Sequence, residues 1–116
     1  MLIFCLLFSK EDIFPDFVVA DLSFISLKLV LKPIENLLNK KFFEGIFLIK
    51  PQFEVGKKAL GKKGVVKDQD AIKGVITTIT KWFEGQPGWH VIGLIPSPIT
   101  GQTGNQEFLI CVGKED

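Results

Sequence analysis

Short runs of consecutive apolar residues alternate along this chain with segments whose apolar residues recur every three or four positions. Runs of the first kind are typical of strands that are buried on both faces of a parallel sheet. Spacing of the second kind is typical of helices with one apolar face. The apolar runs predict strands at residues 2–8, 16–21, 46–49, 89–95 and 108–112.

Two segments have the helical spacing. The first can be capped by Ser23 or Ser26, and Pro33 inside it predicts a kink or a restart. The second begins at Asp68 or Asp70 and is stopped by the glycines and proline of residues 85–88. Their apolar positions are Leu27, Val30, Leu31, Ile34 and Leu38 in the first helix, and Ile72, Val75, Ile76, Ile79, Trp82 and Phe83 in the second.

The order of these elements predicts an α/β fold with a mostly parallel sheet. Three strands, at 16–21, 46–49 and 89–95, are separated by helices or by a long connection that contains one, so they should lie parallel with right-handed crossovers. No helix is predicted between residues 95 and 108, and a helix-free connection favours an antiparallel neighbour. The last strand should therefore run opposite to the others.

This topology brings three charged residues to one edge of the sheet. Asp21 and Lys50 follow apolar runs at the carboxyl ends of parallel strands, where open α/β sheets place their ligands. Glu107 stands at the amino end of the antiparallel strand, which meets the same edge. Two loops, 51–68 and 96–106, should lie there as well. Loops as long as 51–68 are usually functional or disordered. Gly45 is expected to lie just before the strand at 46–49.

Composition narrows the classes of protein. The chain has 116 residues, enough for one domain, with 47% hydrophobic residues and a net charge of +1. Every basic residue is a lysine, so no arginine can clamp a phosphate with two hydrogen bonds. Cys5 and Cys111 lie in apolar runs without metal-ligand spacing, which indicates a reducing compartment. Residues 1–8 lack the basic start of a signal peptide and are too short to span a membrane, so we expect a cytoplasmic protein without membrane contact.

Four blocks carry a resemblance to a known family. The chain resembles the TlyA (hemolysin A) family of S-adenosylmethionine-dependent rRNA 2′-O-methyltransferases, which are related to the FtsJ/RrmJ enzymes. The resemblance runs from about Phe17 to Val112. The blocks are Asp21-Leu22-Ser23-Phe24-Ile25-Ser26-Leu27, Lys50-Pro51-Gln52-Phe53-Glu54, Pro96-Ser97-Pro98-Ile99-Thr100-Gly101 and Gly104-Asn105-Gln106-Glu107-Phe108.

The resemblance implies a catalytic site and a partial domain. The family's tetrad is Lys-Asp-Lys-Glu, and Asp21, Lys50 and Glu107 match its last three members. The first lysine, the glycine-rich cofactor loop and the RNA-binding domain have no counterpart in this sequence. The resemblance therefore implies a single domain over residues 1–116 that is the carboxyl-terminal half of a Rossmann-like methyltransferase domain. S-adenosylmethionine would contact Asp21, Leu22, Ser23 and Phe24, with weak or no binding by this half alone.

The chemistry of the family explains these residue types. A ribose 2′-hydroxyl is a poor nucleophile and must lose its proton as it attacks the methyl sulfonium. A lysine amine can accept that proton only when it is neutral, so its pKa must fall from about 10.4 through desolvation or nearby cations. The two carboxylates would orient the amine and hold the hydroxyl.

The lysines of the 51–68 loop are candidate RNA contacts. Clustered ammonium groups near a site can neutralise phosphates, which predicts rRNA or a ribosomal subunit as the partner. A solvated charged loop remains an alternative. A phosphate-binding P-loop fits poorly, because Lys63 stands where that motif needs Ser or Thr. The candidate residues are Lys57, Lys58, Lys62 and Lys63.

Two functions remain open from the sequence. One is an enzyme half that is active only with the rest of its domain, and the other is a non-catalytic RNA-binding remnant of the same fold. The strand at 17–20 would lie beside the absent cofactor-binding strand. An uncovered apolar edge invites pairing. We therefore expect either self-association through that strand or its coverage by residues 2–8.

Overall fold

A computed structural model of the chain describes residues 3–8, 15–21, 23–38, 42–56, 61, 64–99 and 104–115. Five strands and three helices occur within these ranges. In chain order they are β1 (Ile3–Phe8), β2 (Pro15–Asp21), α1 (Phe24–Leu38), β3 (Phe42–Ile49), α2 (Pro51–Glu54), α3 (Gln69–Glu84), β4 (Trp89–Pro96) and β5 (Phe108–Glu115). Of these helices, none combines the length and the apolarity that crossing a membrane requires.

The strands form one sheet in the order β1-β2-β3-β5-β4. β2 and β3 are parallel, and β5 is antiparallel to both of its neighbours, β3 and β4. β2, β3 and β4 therefore point the same way, and the last strand opposes them, as predicted. β1 is also antiparallel to its neighbour, so β2–β3 is the one parallel ladder among the described strands.

The core lies between α1, α3 and one face of the sheet. Buried positions alternate along the strands, as in Val18 and Ala20, and successive residues of a strand point to opposite faces. The helices contribute Leu27, Leu31, Ile79 and other residues to the same cluster. The opposite face is less covered, since Val19 between the two buried β2 residues is 38% exposed.

Gly45 lies inside β3, not before it as the sequence suggested. A Cβ atom built on Gly45 would stand 2.6 Å from Cγ1 of Val18 on the neighbouring strand. The glycine therefore permits close approach of β2 and β3. The sequence pattern placed this glycine at a strand boundary. The structure places it inside the strand, where a side chain would clash with the neighbouring strand.

Both predicted helices are present. The start of α3 is as predicted, whereas the continuity of α1 and the beginning of the 51–68 loop differ from the prediction. Asp68 caps α3, because its Oδ1 accepts hydrogen bonds from the backbone N–H groups of Asp70 and Ala71 at 2.9 and 3.2 Å. α1 continues through Pro33 without a restart. The expected loop 51–68 opens with a helical turn, α2, since Pro51 at the first helical position has its φ already set for a helix.

An aromatic cluster fills the core from the start of β3 and β4, at Phe43 and Trp89, to Phe47 near the end of β3. Phe83 of α3 lies at its centre, with ring centroids of Trp82, Phe47 and Trp89 at 5.0, 5.4 and 5.8 Å. Phe43 meets Trp89 edge-on at 5.2 Å. Nε1 of Trp89 donates a hydrogen bond to Oε1 of Glu35, so the indole N–H is satisfied.

Candidate functional site

Asp21 and Lys50 meet at the carboxyl ends of neighbouring parallel strands. Asp21 is the last residue of β2 and is aligned with Leu48, two residues before Lys50. Nζ of Lys50 lies 3.0 Å from Oδ2 of Asp21. Both side chains are largely covered, with 22% and 17% of their surfaces exposed. The structure thus forms an ion pair between two of the residues that sequence reasoning selected.

Glu107 stands at the same edge but is held by a different partner. It precedes β5, whose first residue Phe108 pairs with Ile49, the residue before Lys50. The side chain is buried, with 7% of the residue exposed. Its Oε2 accepts a hydrogen bond of 2.8 Å from Nε2 of Gln52. Among the described residues, no ion pair links Lys50 to Glu107.

Gln52 is a site residue whose role sequence reasoning missed. α2 places it two residues beyond Lys50, and the Glu107 carboxylate fixes its amide orientation because a carboxylate oxygen can only accept. The other amide atom, Oε1, is buried and has no hydrogen-bond partner among the described residues. The sequence signal was the proline after Lys50, which starts a helical turn and directs the next side chains. Gln52 therefore positions Glu107 and carries one unused acceptor.

Glu54 and Phe24 connect this edge to the helical face. The backbone N–H of Phe24 donates to Oε1 of Glu54 at 2.9 Å, so the carboxylate satisfies an N–H group at the start of α1. The Phe24 ring lies edge-on to Trp82 at 5.6 Å, and Nζ of Lys28 is 4.7 Å from its centroid. Phe24, predicted to contact cofactor, is thus largely engaged with α3 and with its own helix.

The other predicted contacts have varied positions. Ser23 precedes α1, and its carbonyl accepts from Leu27 N–H at 2.9 Å. Leu22 lies outside the described residues. The candidate RNA contacts also lie outside them, namely Lys57, Lys58, Lys62 and Lys63. Phe53 is 62% exposed, with its ring centroid 5.6 Å from Nζ of Lys50.

Asn105 joins the two loops beside the site. The residue is 2% exposed, and its side chain accepts from Val66 N–H at 2.8 Å and donates to the carbonyl of Gly64 at 2.9 Å. Ser97 N–H donates to the carbonyl of Glu107 at 2.8 Å. These bonds fix the chain just before β5, so the backbone that carries Glu107 is held from both sides.

A cavity of about 330 Å³ opens between the start of α1, α2 and α3. We call it the α1–α3 cavity. Phe24 and Glu54 form one wall, and Ala71, Gly74 and Thr78 of α3 form the other. Phe24 and Glu54 also line a smaller crevice that reaches Lys50. The cavity is therefore one layer of side chains away from the Asp21–Lys50 pair.

The fold and this edge define a class of protein. A sheet with strands β2, β3 and β4 in parallel, an inserted antiparallel strand and polar groups at one edge belongs to the Rossmann-like α/β folds that bind ligands there. Residues 7–114 match the model of the FtsJ-like methyltransferase family. The chain belongs to that family.

Curated relatives carry methyltransferase names. The chain is 39% identical over 95 residues to the 16S/23S rRNA (cytidine-2′-O)-methyltransferase TlyA of Mycobacterium tuberculosis, covering 82% of this chain and 35% of that protein. It is 40% identical over 102 residues to the 23S rRNA (cytidine-2′-O)-methyltransferase TlyA of Campylobacter jejuni, covering 87% of this chain and 38% of that protein. These names support the predicted resemblance.

A solved structure gives the same fold. A Lactococcus lactis protein named as a hemolysin superposes with a TM-score of 0.75 at 38% identity, over 92% of this chain and 50% of that one. The chain spans little more than a third of the length of the two curated relatives above. The activity of those whole proteins therefore enters here only as a proposal.

Proposed function

We propose that this chain forms the carboxyl-terminal half of a methyltransferase domain that modifies the 2′-hydroxyl of a cytidine in rRNA. The observation that carries the proposal is the Lys50 ammonium group held 3.0 Å from Asp21, at the edge where Glu107 is buried beside it. The chain's family and the names of its relatives support the reaction class and the substrate.

In this proposal each residue of the edge has one task. The Lys50 ammonium group first loses one proton to solvent, and the neutral amine then accepts the proton of the ribose 2′-hydroxyl. Asp21 holds the nitrogen throughout by accepting a hydrogen bond at the distance seen in the ion pair. Before that transfer, the Glu107 carboxylate, fixed by Gln52, accepts a hydrogen bond from the hydroxyl of the bound substrate and so orients its oxygen. S-adenosylmethionine would supply the methyl group. Much of the rate enhancement then comes from holding the reacting atoms in place.

The described residues supply only part of a cofactor site. Asp21 offers a carboxylate near the end of β2, but one of its oxygens is paired with Lys50. The sequence contains no glycine-rich loop that would let a backbone approach the methionine end of the cofactor. We therefore infer that the 116-residue chain binds S-adenosylmethionine weakly or not at all, which titration calorimetry can measure. Micromolar affinity would contradict this inference.

The function itself is tested by completing the domain. The segment that precedes the matched region in the Mycobacterium tuberculosis relative can be fused ahead of the chain. Single-turnover methylation of rRNA by the fusion and by the chain alone is then compared. We expect the fusion to methylate a cytidine 2′-hydroxyl and the chain by itself not to do so. RNA binding without any methylation would favour the non-catalytic remnant.

Lys50→Ala in this fusion should lower the single-turnover rate by about 10²–10⁴-fold, the usual loss when a general base is removed. Lys50→Arg should fail almost as badly, because a guanidinium group stays protonated at any working pH. The unmodified rate should rise with pH, and both variants should lose that dependence. Lys73→Ala, at an exposed lysine on α3, is the matched control. A Lys50→Arg fusion with a near-normal rate would remove Lys50 from the chemistry.

A further inference from the structure

The α1–α3 cavity has the size and lining of a site for a flat ring. Its volume of about 330 Å³ lies in the range of small-molecule pockets. Phe24 gives it an aromatic wall and Ile79 an aliphatic one. On α3, Gly74 leaves the space open, since a Cβ atom built there would meet nothing within 4 Å. A slot between an aromatic side and a helix face that is open at Gly74 favours a planar ligand.

The cavity also contains one fixed acceptor. Oε1 of Glu54 accepts from Phe24 N–H, which holds the carboxylate in place at the wall. The second oxygen makes no hydrogen bond or ion pair with the described residues, and we assign it to the ligand. A carboxylate accepts hydrogen bonds from N–H groups, as it does from the exocyclic amine of cytosine. The ligand should therefore carry an amino group on its ring.

The position of the cavity relates it to the proposed chemistry. Glu54 follows Lys50 by four residues across the α2 turn, a rise of about 6 Å along a helix axis. Both residues line a small crevice that shares Phe24, Glu54 and Ile79 with the cavity. Lys28, whose Nζ stands 4.7 Å from the Phe24 centroid, is an exposed cation at the same wall. A ring in the cavity would thus lie about one nucleotide from Lys50, with an ammonium group near its phosphate.

We propose that the α1–α3 cavity binds an amino-bearing nucleobase of the RNA strand, adjacent to the nucleotide that is methylated. Adenine, cytosine and guanine can donate an amino N–H to Glu54. Uracil presents only one N–H between two carbonyl oxygens, which a carboxylate repels. The choice of RNA as the source of the base rests on the proposed function, but the binding itself requires no methyl transfer.

The test is nuclear magnetic resonance of the ¹⁵N-labelled chain with nucleoside 5′-monophosphates. AMP and CMP should shift the backbone signals of Gly56, Ala71, Gly74 and Thr78, and UMP should bind at least about fivefold more weakly, the lower limit for one good hydrogen-bonded contact to a base. S-adenosylhomocysteine serves as a separate arm, because its adenine offers the same chemistry from the cofactor.

Gly74→Leu adds a side chain at the cavity wall, where a Cβ atom would meet nothing within 4 Å, and improves the helical propensity of α3. It should weaken AMP binding by about 5- to 100-fold, the range for losing one stacked base. Lys73→Leu, at the neighbouring exposed position of the same helix, should leave binding unchanged. Glu54→Gln keeps an oxygen for Phe24 N–H and should reduce the preference for AMP over UMP.

Four outcomes would overturn the proposal: equal affinity for UMP, no shift at millimolar nucleotide, unchanged binding by Gly74→Leu, or tighter binding of S-adenosylhomocysteine than of AMP at these signals. The last would assign the cavity to the cofactor. Binding that persists although the completed domain methylates no RNA would refute the reaction and leave the cavity assignment standing. Methylation of RNA by the completed domain without any nucleotide binding in the cavity would support the reaction and refute the cavity assignment.

Discussion

The two ends of the sheet are built from opposite kinds of side chain. Where β3 and β4 begin, Phe43, Phe83 and Trp89 are at most 4% exposed, and the Trp89 ring contacts the rings of both phenylalanines. Where β2 and β3 end, Asp21 and Lys50 form a partly exposed ion pair. Burying charges is costly unless they are paired, whereas burying aromatic rings is favourable. The first end therefore stabilises the fold by burying rings, whereas the second holds charged groups that offset one another as a pair.

Among the substitutions that test this comparison, Phe83→Ala should cause the largest loss of stability. The ring is fully buried at the centre of the aromatic cluster, and removing it leaves a cavity, so the free energy of unfolding should fall by about 3–5 kcal/mol. Phe53→Ala is the matched control at the other end, where the ring is 62% exposed, and should change it by less than about 0.5 kcal/mol. Urea denaturation measures both. Equal losses of unfolding free energy in the two variants would show that the aromatic end does not contribute more to stability than the polar end.

Gln52→Glu should make stability depend on pH at the polar end. It would place a second carboxylate 2.8 Å from Glu107, and two carboxylates this close cannot both ionise easily, so one pKa of the pair rises above the ordinary value near 4.3. The folded variant then binds a proton that its unfolded chain has lost. Its free energy of unfolding therefore falls as pH rises from about 4 to that raised pKa, by about 1.4 kcal/mol for each pH unit between the two values.

Gln106→Glu is the control for this change, because Gln106 is exposed and donates to backbone carbonyls of Ser97 and Glu107. Thermal unfolding between about pH 4 and 8, the range in which a raised carboxyl pKa would titrate, compares the two variants with the natural chain. A Gln52→Glu variant whose stability tracks the control across this range would show that the Gln52–Glu107 contact is not maintained in solution.

Asp68→Ala should have the smallest effect of the three. It removes the side chain that accepts from Asp70 and Ala71 N–H at the start of α3, and losing such a cap costs about 1 kcal/mol. Asp70→Ala, in the exposed first turn, keeps the cap and should cost less. Amide hydrogen exchange should show faster opening confined to the first turn of α3. Loss of protection across the whole helix would mean that the cap controls more than local fraying.

Sequence reasoning reached the positions of Asp21, Lys50 and Glu107 because each follows or precedes an apolar run, and strand direction then determines the edge where it lies. It did not reach the Gln52–Glu107 hydrogen bond, whose partners are 55 residues apart and meet only because β5 inserts between β3 and β4. Gly45 was misread for a similar reason. A local pattern signals a turn, while its actual role depends on Val18 of another strand.

The pairing of β1 with β2 has a consequence for assembly. The sequence left two outcomes for the edge of β2, and the structure has the second, with Ile3 aligned to Asp21 and Leu7 to Phe17. The backbone groups on that side of β2 are therefore already occupied. Any other strand that is to join the sheet there must compete for the same N–H and C=O groups. Its incorporation becomes an exchange reaction, and at high concentration the rate would level off at the rate at which β1 peels away.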